Sequence, residues 1–381
     1  MEIKLTEYQQ RCREETKRFA REHLQPWVDK IDKMQSTPEH IIEKIKKNGY
    51  LGAALPQQWG GGGLDSVSYG IMTEEIGRMC SSVRSMMTVH NMSAQTISKW
   101  GTSAQQQQWL PDLCSGKKII AFALSEENVG SAADTVETEA AADGTDFMLN
   151  GAKKWVTYGQ IADMFLVFAQ CDHKPVALVV ERNTPGLSVE PLRDIFGTSG
   201  SMIASVKFNN CRVPGRNLIG PMGMGIKFVA HSTLDHGRFS VACGSTGITQ
   251  ACLDACLDYS QRRKQGEGKL KDYQLIRRKL TDMLTQLSTS RMLCYKAAYL
   301  RDEGDPNAIM ETSLAKYHAS SVAMLAARDA VHIHGANGCS AQYPVNRYLR
   351  DATVMGIIEG SHEIQQMVLA DYAFQRPYQL V

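Results

Sequence analysis

Apolar residues recur every three to four positions through the first third of the chain, and this spacing predicts helices over Leu5–Ile31, Pro38–Lys47, Tyr69–Met79 and Ala104–Leu113. The run Gly60–Gly63 interrupts them. From about residue 119 the pattern changes to short apolar and β-branched runs, Ile119–Leu124, Met164–Ala169 and Pro175–Val180, separated by Gly, Asn and Asp turns, as strands require. Beyond Gly223 the helical period returns over 224–260, 272–303, 307–336 and 358–373, with Gly304-Asp305-Pro306 as a stop. The expectation is an α+β chain of three units: a helical domain over 1–118, a β-domain over 119–220 and a helical domain over 221–381. No internal repeat is visible, and the polar run Gln105–Gln108 reads as the start of an exposed helix.

Composition narrows the function classes. At 381 residues, 43% of them hydrophobic, the chain is long enough for two or three packed cores. Basic and acidic residues nearly balance, 42 against 40, which gives no electrostatic footprint for nucleic acid or an anionic membrane. With no apolar run of about 18 residues and no N-terminal signal pattern, the default expectation is a soluble cytoplasmic protein. None of the ten cysteines forms a Cys-x-x-Cys pair, so they read as reduced core thiols and no metal site is expected.

The segment Arg347–Gln365 offers the first candidate chemistry. It places one carboxylate, Glu359, among Met355, Ile357 and Ile358 and directly before Gly360-Ser361. Desolvation there would raise its pKa toward the range of a general base at neutral pH. A solvated carboxylate beside a Gly-Ser cap is the alternative.

Tyr348–Ala352 followed by Ile358–Gln365 resembles the C-terminal signature of the acyl-CoA dehydrogenase family. Further segments match that family in order: Leu55–Asp65, Leu124-Ser125-Glu126, Trp155-Val156-Thr157, Leu234–Arg238 and Gly335–Gly338. The resemblance implies an N-terminal helical domain, a middle β-barrel or sandwich and a C-terminal four-helix bundle. It also implies bound FAD, because no side chain accepts a hydride.

Carried over residue by residue, the resemblance assigns Ser125 at a strand end to the flavin ring, with Phe122 beside it. Trp155 and Thr157, expected on one face of a strand, flank the same ring, and Ser361 and Glu363 are further cofactor contacts. Arg262 falls at the family's pyrophosphate arginine, suited by its bidentate fork, and these dinucleotide contacts come partly from a neighbouring subunit of a homotetramer, a dimer of dimers. Gly335 and Asn337 keep the pattern, whereas Gln265 replaces an aromatic residue and His332 a glutamine. The loop after Ser125 keeps Gly130-Ser131 but loses a proline, and Ser131 remains able to meet a phosphate or the pantetheine arm.

Glu359 becomes the implied base, abstracting the α-proton of an acyl thioester whose carbonyl is polarised by hydrogen bonds. Some relatives carry the base near Leu234–Arg238 instead. That segment holds no Glu, and Asp235 there reads as structural. Arg84, Ser131, Arg238 and Gly360 are the implied substrate contacts. Arg84 lies among Val83, Met86, Met87 and Val89, where relatives with fatty substrates carry small residues. Facing inward, it would call for a short polar or anionic acyl group, as in glutaryl-CoA dehydrogenases; otherwise it pairs with Glu74 or Glu75.

The segments Ser81–Ser85, His334–Ser340 and Ile357–Ser361, with Ile358 in place of a usual Tyr, are also similar to dehydrogenases of polyketide and nonribosomal peptide clusters that act on acyl groups tethered to an acyl carrier protein. Three readings follow: an extender-unit enzyme on a carrier-bound thioester, a catabolic short-chain or glutaryl-CoA-like dehydrogenase, and a flavin-free binding or assembly protein. An electron-transferring flavoprotein or oxygen would reoxidise the flavin.

Overall fold

The computed structural model describes residues 4–375. Its first region is helical: α1 (Glu7–Phe19), α2 (Val28–Met34), α3 (Glu39–Lys47), α4 (Ser66–Met79), α5 (Ser81–Trp100) and α6 (Ser103–Cys114). Thr6 and Thr102 each start a helix with a reciprocal capping box, to Gln9 and Gln105, and Asp65 caps α4 through Ser68 N at 2.6 Å. The predicted Leu5–Ile31 helix is broken by a π turn at Ala20–Leu24, so α1 and α2 are separate. Between α3 and α4 the glycine run folds back on itself, and a Cβ at Gly61 would lie 2.2 Å from the Leu55 carbonyl oxygen, which only glycine avoids.

Strands β1 (Ile120–Ala123), β2 (Glu139–Asp143), β3 (Asp146–Val156), β4 (Met164–Cys171), β5 (Lys174–Glu181), β6 (Leu187–Pro191) and β7 (Ala204–Val213) form one mixed sheet in the order β1-β4-β2-β3-β7-β6, with β5 on the other edge of β4. Strand β4 runs parallel to β1 over its first half and meets β2 only at Gln170, so two strands share one of its edges. Alternation along β1 sends Ala121 and Ala123 into the sheet's own apolar layer, with Phe165, Val167 and Phe208. Ile120, Phe122 and Leu124 face the helices instead.

The last region is built on three long helices, α7 (His231–Arg262), α8 (Gln274–Asp302) and α9 (Ala308–His334), with α10 (Val345–Met355) and α11 (His362–Gln375) packed on α9. A short hairpin, β8 (Lys264–Gln265) with β9 (Gly268–Lys269), links α7 to α8. The helical, sheet and helical order agrees with the expectation. Helix α7 is the axle: α4, α5, α8, α9 and α10 all pack on it. All ten cysteines are free, and eight are buried. Among the described residues, no helix is long and apolar enough to cross a membrane.

Candidate active site

Glu359 lies in the loop between α10 and α11, in a left-handed conformation with φ 58°, followed by Gly360 at φ 91°. Its carboxylate rests on α7 where Gly237 leaves room: a Cβ there would stand 2.2 Å from Glu359 Oε2. That oxygen is buried without a hydrogen-bond partner. Burial pushes the carboxyl up to about 7, against the pull of Arg238, Arg84 and Lys316. A carboxyl near neutrality lies in the range a general base requires.

The backbone around Glu359 is held from two helices. Arg238 Nε on α7 donates to the Glu359 carbonyl at 3.1 Å, and Lys316 Nζ on α9 donates to the Gly360 carbonyl at 2.6 Å. His362 Nε2 meets Ser320 Oγ at 2.7 Å, one turn beyond Lys316. Ser361 accepts Gln365 N at the start of α11, and its hydroxyl holds the Glu363 carboxyl below the usual range. Beside Gly360, both polar atoms of the Gln365 amide are buried without partners.

Arg84 on α5 points into the same space. Its side chain is 1% exposed, and its guanidinium donates to Thr88 Oγ1 at 3.2 Å and to Met355 Sδ at 3.0 Å, leaving Nε without a partner. The alternative pairing is overturned: Glu74 binds Arg291 at 2.5 Å, and Glu75 binds Arg78 and Arg13. Burial lowers the Arg84 pKa, and Glu359 is the strongest opposing charge. Thr88 and Ser240 share a hydrogen bond of 2.6 Å beside the guanidinium, so this end of the cleft is polar. Gly244 gives Arg84 its room on α7, since a Cβ there would be 3.0 Å from Nε. Gly237 and Gly244 are seven residues apart, two turns on one helix face, roughly 10 Å. The carboxylate and the guanidinium thus mark two points of one short cleft. Asp235 lies apart from it, paired with Arg301 as a structural residue.

The sheet supplies another wall. Phe122 and Leu124 share an apolar cluster with Leu234, one turn before Arg238, so the end of β1 meets the start of α7. Ser125 follows, half-buried, and its carbonyl accepts Lys154 N at 2.8 Å, which ties it to β3. The expected alternation of Trp155 and Thr157 is not observed: the β3–β7 register slips between Lys153 and Val156, Trp155 takes φ 63°, and Thr157 lies beyond the strand. A bulge of this kind re-aims side chains at the end of a strand. Trp155 consequently stays 54% exposed at the end of β3. Next to Thr157, Tyr158 donates to the Ser82 carbonyl at 3.2 Å, two residues before Arg84.

Beneath the loop that carries Gly130 and exposed Ser131 lies a buried ion pair that sequence reasoning missed. Lys153 Nζ donates to Glu126 Oε1 at 2.5 Å, and Glu126 also accepts from Thr138 Oγ1 and from the amides of Glu137 and Thr138. Burial lowers Lys153 to about 8 against the pull of Glu126. The partners are 27 residues apart, so nothing local in the sequence signals the pair.

The remaining predicted residues lie elsewhere. Arg262 ends α7, exposed and paired with Asp258; Gln265 is exposed in the β8–β9 hairpin; His332 is exposed near the end of α9; Gly335 and Asn337 follow it. They share one end of the bundle, where Tyr259 stacks on His334 at 4.1 Å and Asn337 Nδ2 donates to Tyr259 Oη at 3.0 Å. From Arg238 to Arg262 the helix climbs about 36 Å. A single chain therefore does not bring these residues to Trp155 and Glu359.

Three family models cover the chain nearly end to end: the acyl-CoA dehydrogenase N-terminal domain over residues 6–117, middle domain over 121–211 and C-terminal domain over 223–374. The chain belongs to the acyl-CoA dehydrogenase family. It is 37% identical to the probable acyl-CoA dehydrogenase YngJ of Bacillus subtilis over 97% of this chain and 99% of that one. It is also 37% identical to the mitochondrial short-chain specific acyl-CoA dehydrogenase of Rattus norvegicus, over 97% and 91%. Among solved structures, the glutaryl-coenzyme A dehydrogenase complex with glutaryl-CoA matches with TM-score 0.95 at 31% identity, covering 99% of this chain and 98% of that one. The prolyl acyl carrier protein oxidase AnaB matches with TM-score 0.92 at 27%, covering 97% and 99%. FkbI, from biosynthesis of the methoxymalonyl extender unit of a polyketide, matches with TM-score 0.88 at 29%, covering 96% and 99%.

Acyl-CoA dehydrogenases are FAD-dependent oxidoreductases of CH–CH bonds, and the residues present suit that cofactor. Trp155 is a half-exposed aromatic at the end of β3, next in sequence to Lys154, whose amide donates to the Ser125 carbonyl, and two residues before Thr157, while the buried Glu359 oxygen and Gln365 amide lack partners. These are the groups a flat, polar-edged ring would cover.

Proposed function

We propose that the protein oxidises the α,β-bond of a short, polar or anionic acyl thioester tethered to an acyl carrier protein, as a step in building a secondary-metabolite extender unit. The observation that carries the substrate class is Arg84, a buried guanidinium that among the described residues forms no ion pair within 4.0 Å and has Glu359 as its strongest opposing charge. A buried charge in this position is stabilised by an incoming carboxylate or hydroxyl. The carrier is supported by the likeness to AnaB and FkbI across nearly the whole chain.

In this reading Glu359 takes the α-proton while its backbone amide polarises the thioester carbonyl. Bound FAD supplies the acceptor for the hydride leaving the β-carbon. Ser125, Trp155, Thr157, Phe122, Ser361 and Glu363 hold the ring end. Ser131 and its glycine loop, fixed from below by Glu126 and Lys153, meet the pantetheine arm. Arg238 and Gly360 border the reacting carbons. Arg262, Gln265, His332, Gly335 and Asn337 of a second copy hold the dinucleotide end, because in one chain they lie too far from Trp155. Exposed Leu284, Met292 and Tyr299, on one face of α8, fit burial within a homotetramer. Electron-transferring flavoprotein or oxygen completes the cycle.

A second reading, a catabolic short-chain or glutaryl-CoA-like dehydrogenase, is favoured by the 37% identity to a short-chain specific enzyme and by the fold shared with glutaryl-coenzyme A dehydrogenase. A flavin-free binding role has no comparable support beside the Glu359 arrangement. Anaerobic bleaching of the flavin by acyl groups presented on coenzyme A and on a phosphopantetheinylated carrier decides between the two thioester readings. Bleaching with carrier-bound forms alone is expected; rapid bleaching by a free acyl-CoA would establish the catabolic enzyme, and carbon dioxide release would mark it as glutaryl-CoA-like.

A further inference from the structure

Two consecutive residues, Glu359 and Gly360, take positive φ. For a residue with a side chain this conformation costs about 1–2 kcal/mol and persists only where the surroundings impose it. Here the surroundings are two cations on different helices, each donating to one of two successive carbonyls: Arg238 to Glu359 and Lys316 to Gly360.

Lys316 is the less expected of the two. It has no exposed surface, and among the described residues its ammonium hydrogen-bonds to the Gly360 carbonyl and forms no ion pair within 4.0 Å. An ammonium buried against a single carbonyl is costly. The charged groups that face it are Glu359 on the loop, Glu363 and His362 on α11 and Arg238 on α7; Arg84 of α5 also acts on Glu359.

We propose that Lys316 is a positioning residue for Glu359: its ammonium fixes the Gly360 carbonyl, holds Glu359 in the left-handed conformation over Gly237, and supplies positive charge that favours the ionised carboxyl. The proposal rests on Glu359 being the base. Burial lowers Lys316 to about 8 and raises Glu359 to about 7. Each charge opposes the other's shift, so the ammonium favours the carboxylate and the carboxylate the ammonium.

The test compares Lys316→Gln, which keeps a donor and removes the charge, with Lys316→Met, which removes both. Each is made in the FAD-loaded enzyme. Two quantities are followed: the pH dependence of anaerobic flavin reduction by a substrate, and the carboxyl band of Glu359 in infrared difference spectra against Glu359→Gln. Both variants should titrate that band about one unit higher than the parent, with the acid limb of the rate moving alongside. At its plateau the Gln variant should keep its rate within about fivefold, while the Met variant should fall about 30-fold or more through misplacement of the carboxylate. Substrate affinity should change less than about threefold in both.

A band that titrates at the parent pH in the Gln variant, with an unmoved acid limb, overturns the proposal. If the Met variant does not fold, the Gln variant decides alone. If Glu359→Gln is itself active, the base assignment fails, while the infrared titration still reports whether Lys316 governs that carboxyl.

Discussion

The two ends of helix α7 are built on opposite plans. At its start, Gly237, Arg238 and Ser240 face a strained turn where Arg84 and Lys316 are buried, Arg238 is half-buried and one oxygen of the Glu359 carboxylate is enclosed. At its end, Arg262 is exposed in an i,i+4 pair with Asp258, and the nearby predicted contacts are exposed or half-buried. The first end is organised within one chain, with desolvation and opposing charges setting its chemistry. The second is an unclosed surface whose charges are solvent-screened and worth little to stability alone. In the proposed reading, the chemistry uses the closed low-dielectric end and the open end is completed by a partner surface.

Changes at the closed end should have the larger effects. Glu359→Gln is expected to keep the flavin spectrum and lose about 1,000-fold in flavin reduction by substrate; full activity would remove Glu359 from the mechanism. Arg84→Ala should cut turnover of anionic or polar acyl groups about 30-fold or more while sparing butyryl, and equal losses on both would refute Arg84 as the acyl anchor. In the parent enzyme the rate should rise through about pH 7 as Glu359 ionises.

The same carboxyl has a stability signature. Its folded pKa is raised from 4.5 to about 7, so its contribution is fully present below 4.5 and is lost as pH rises through 7. Glu359→Gln should therefore raise folding stability more at pH 8 than at pH 4, by about 3 kcal/mol, read from thermal unfolding at the two pH values. An equal effect at both would mean the carboxyl is not desolvated. At the open end the effects shrink. Arg262→Ala should weaken FAD retention about tenfold, the size of one charge-assisted contact, and shift folding stability by less than about 0.5 kcal/mol. His332→Ala and Gln265→Ala should each change retention less than about threefold, as exposed positions do.

Much of this was legible in the chain. The β1, β4 and β5 runs and the three long helices show their periods plainly, and Glu359 announced itself as a lone carboxylate in an apolar stretch. Helix α5 did not: Ser82, Ser85, Thr88, His90, Asn91, Ser93 and Thr96 are all buried, so no polar face marks its period. Helix α10 was also missed, and 358–361 proved to be a turn before α11. The direction of Arg84 depended on Arg291 claiming Glu74 from 217 residues away. Lys316, set among Ala and Ser in α9, reads locally as a solvated lysine. Its burial arises only when α11 and the Glu359 loop fold over it, a tertiary event that no window of sequence contains.

Helix α7 also acts as a gauge. It is one unbroken element of 32 residues that sets the facing of both its ends. Substitutions along its middle alter local packing, but inserting one residue between Gly244 and Tyr259 would rotate one end by about 100° relative to the other. Inserting seven would nearly restore the facing and separate the ends by a further 10 Å or so. Any assembly that uses both ends is thus tuned by the length of this helix, and it tolerates changed letters there far better than changed counts.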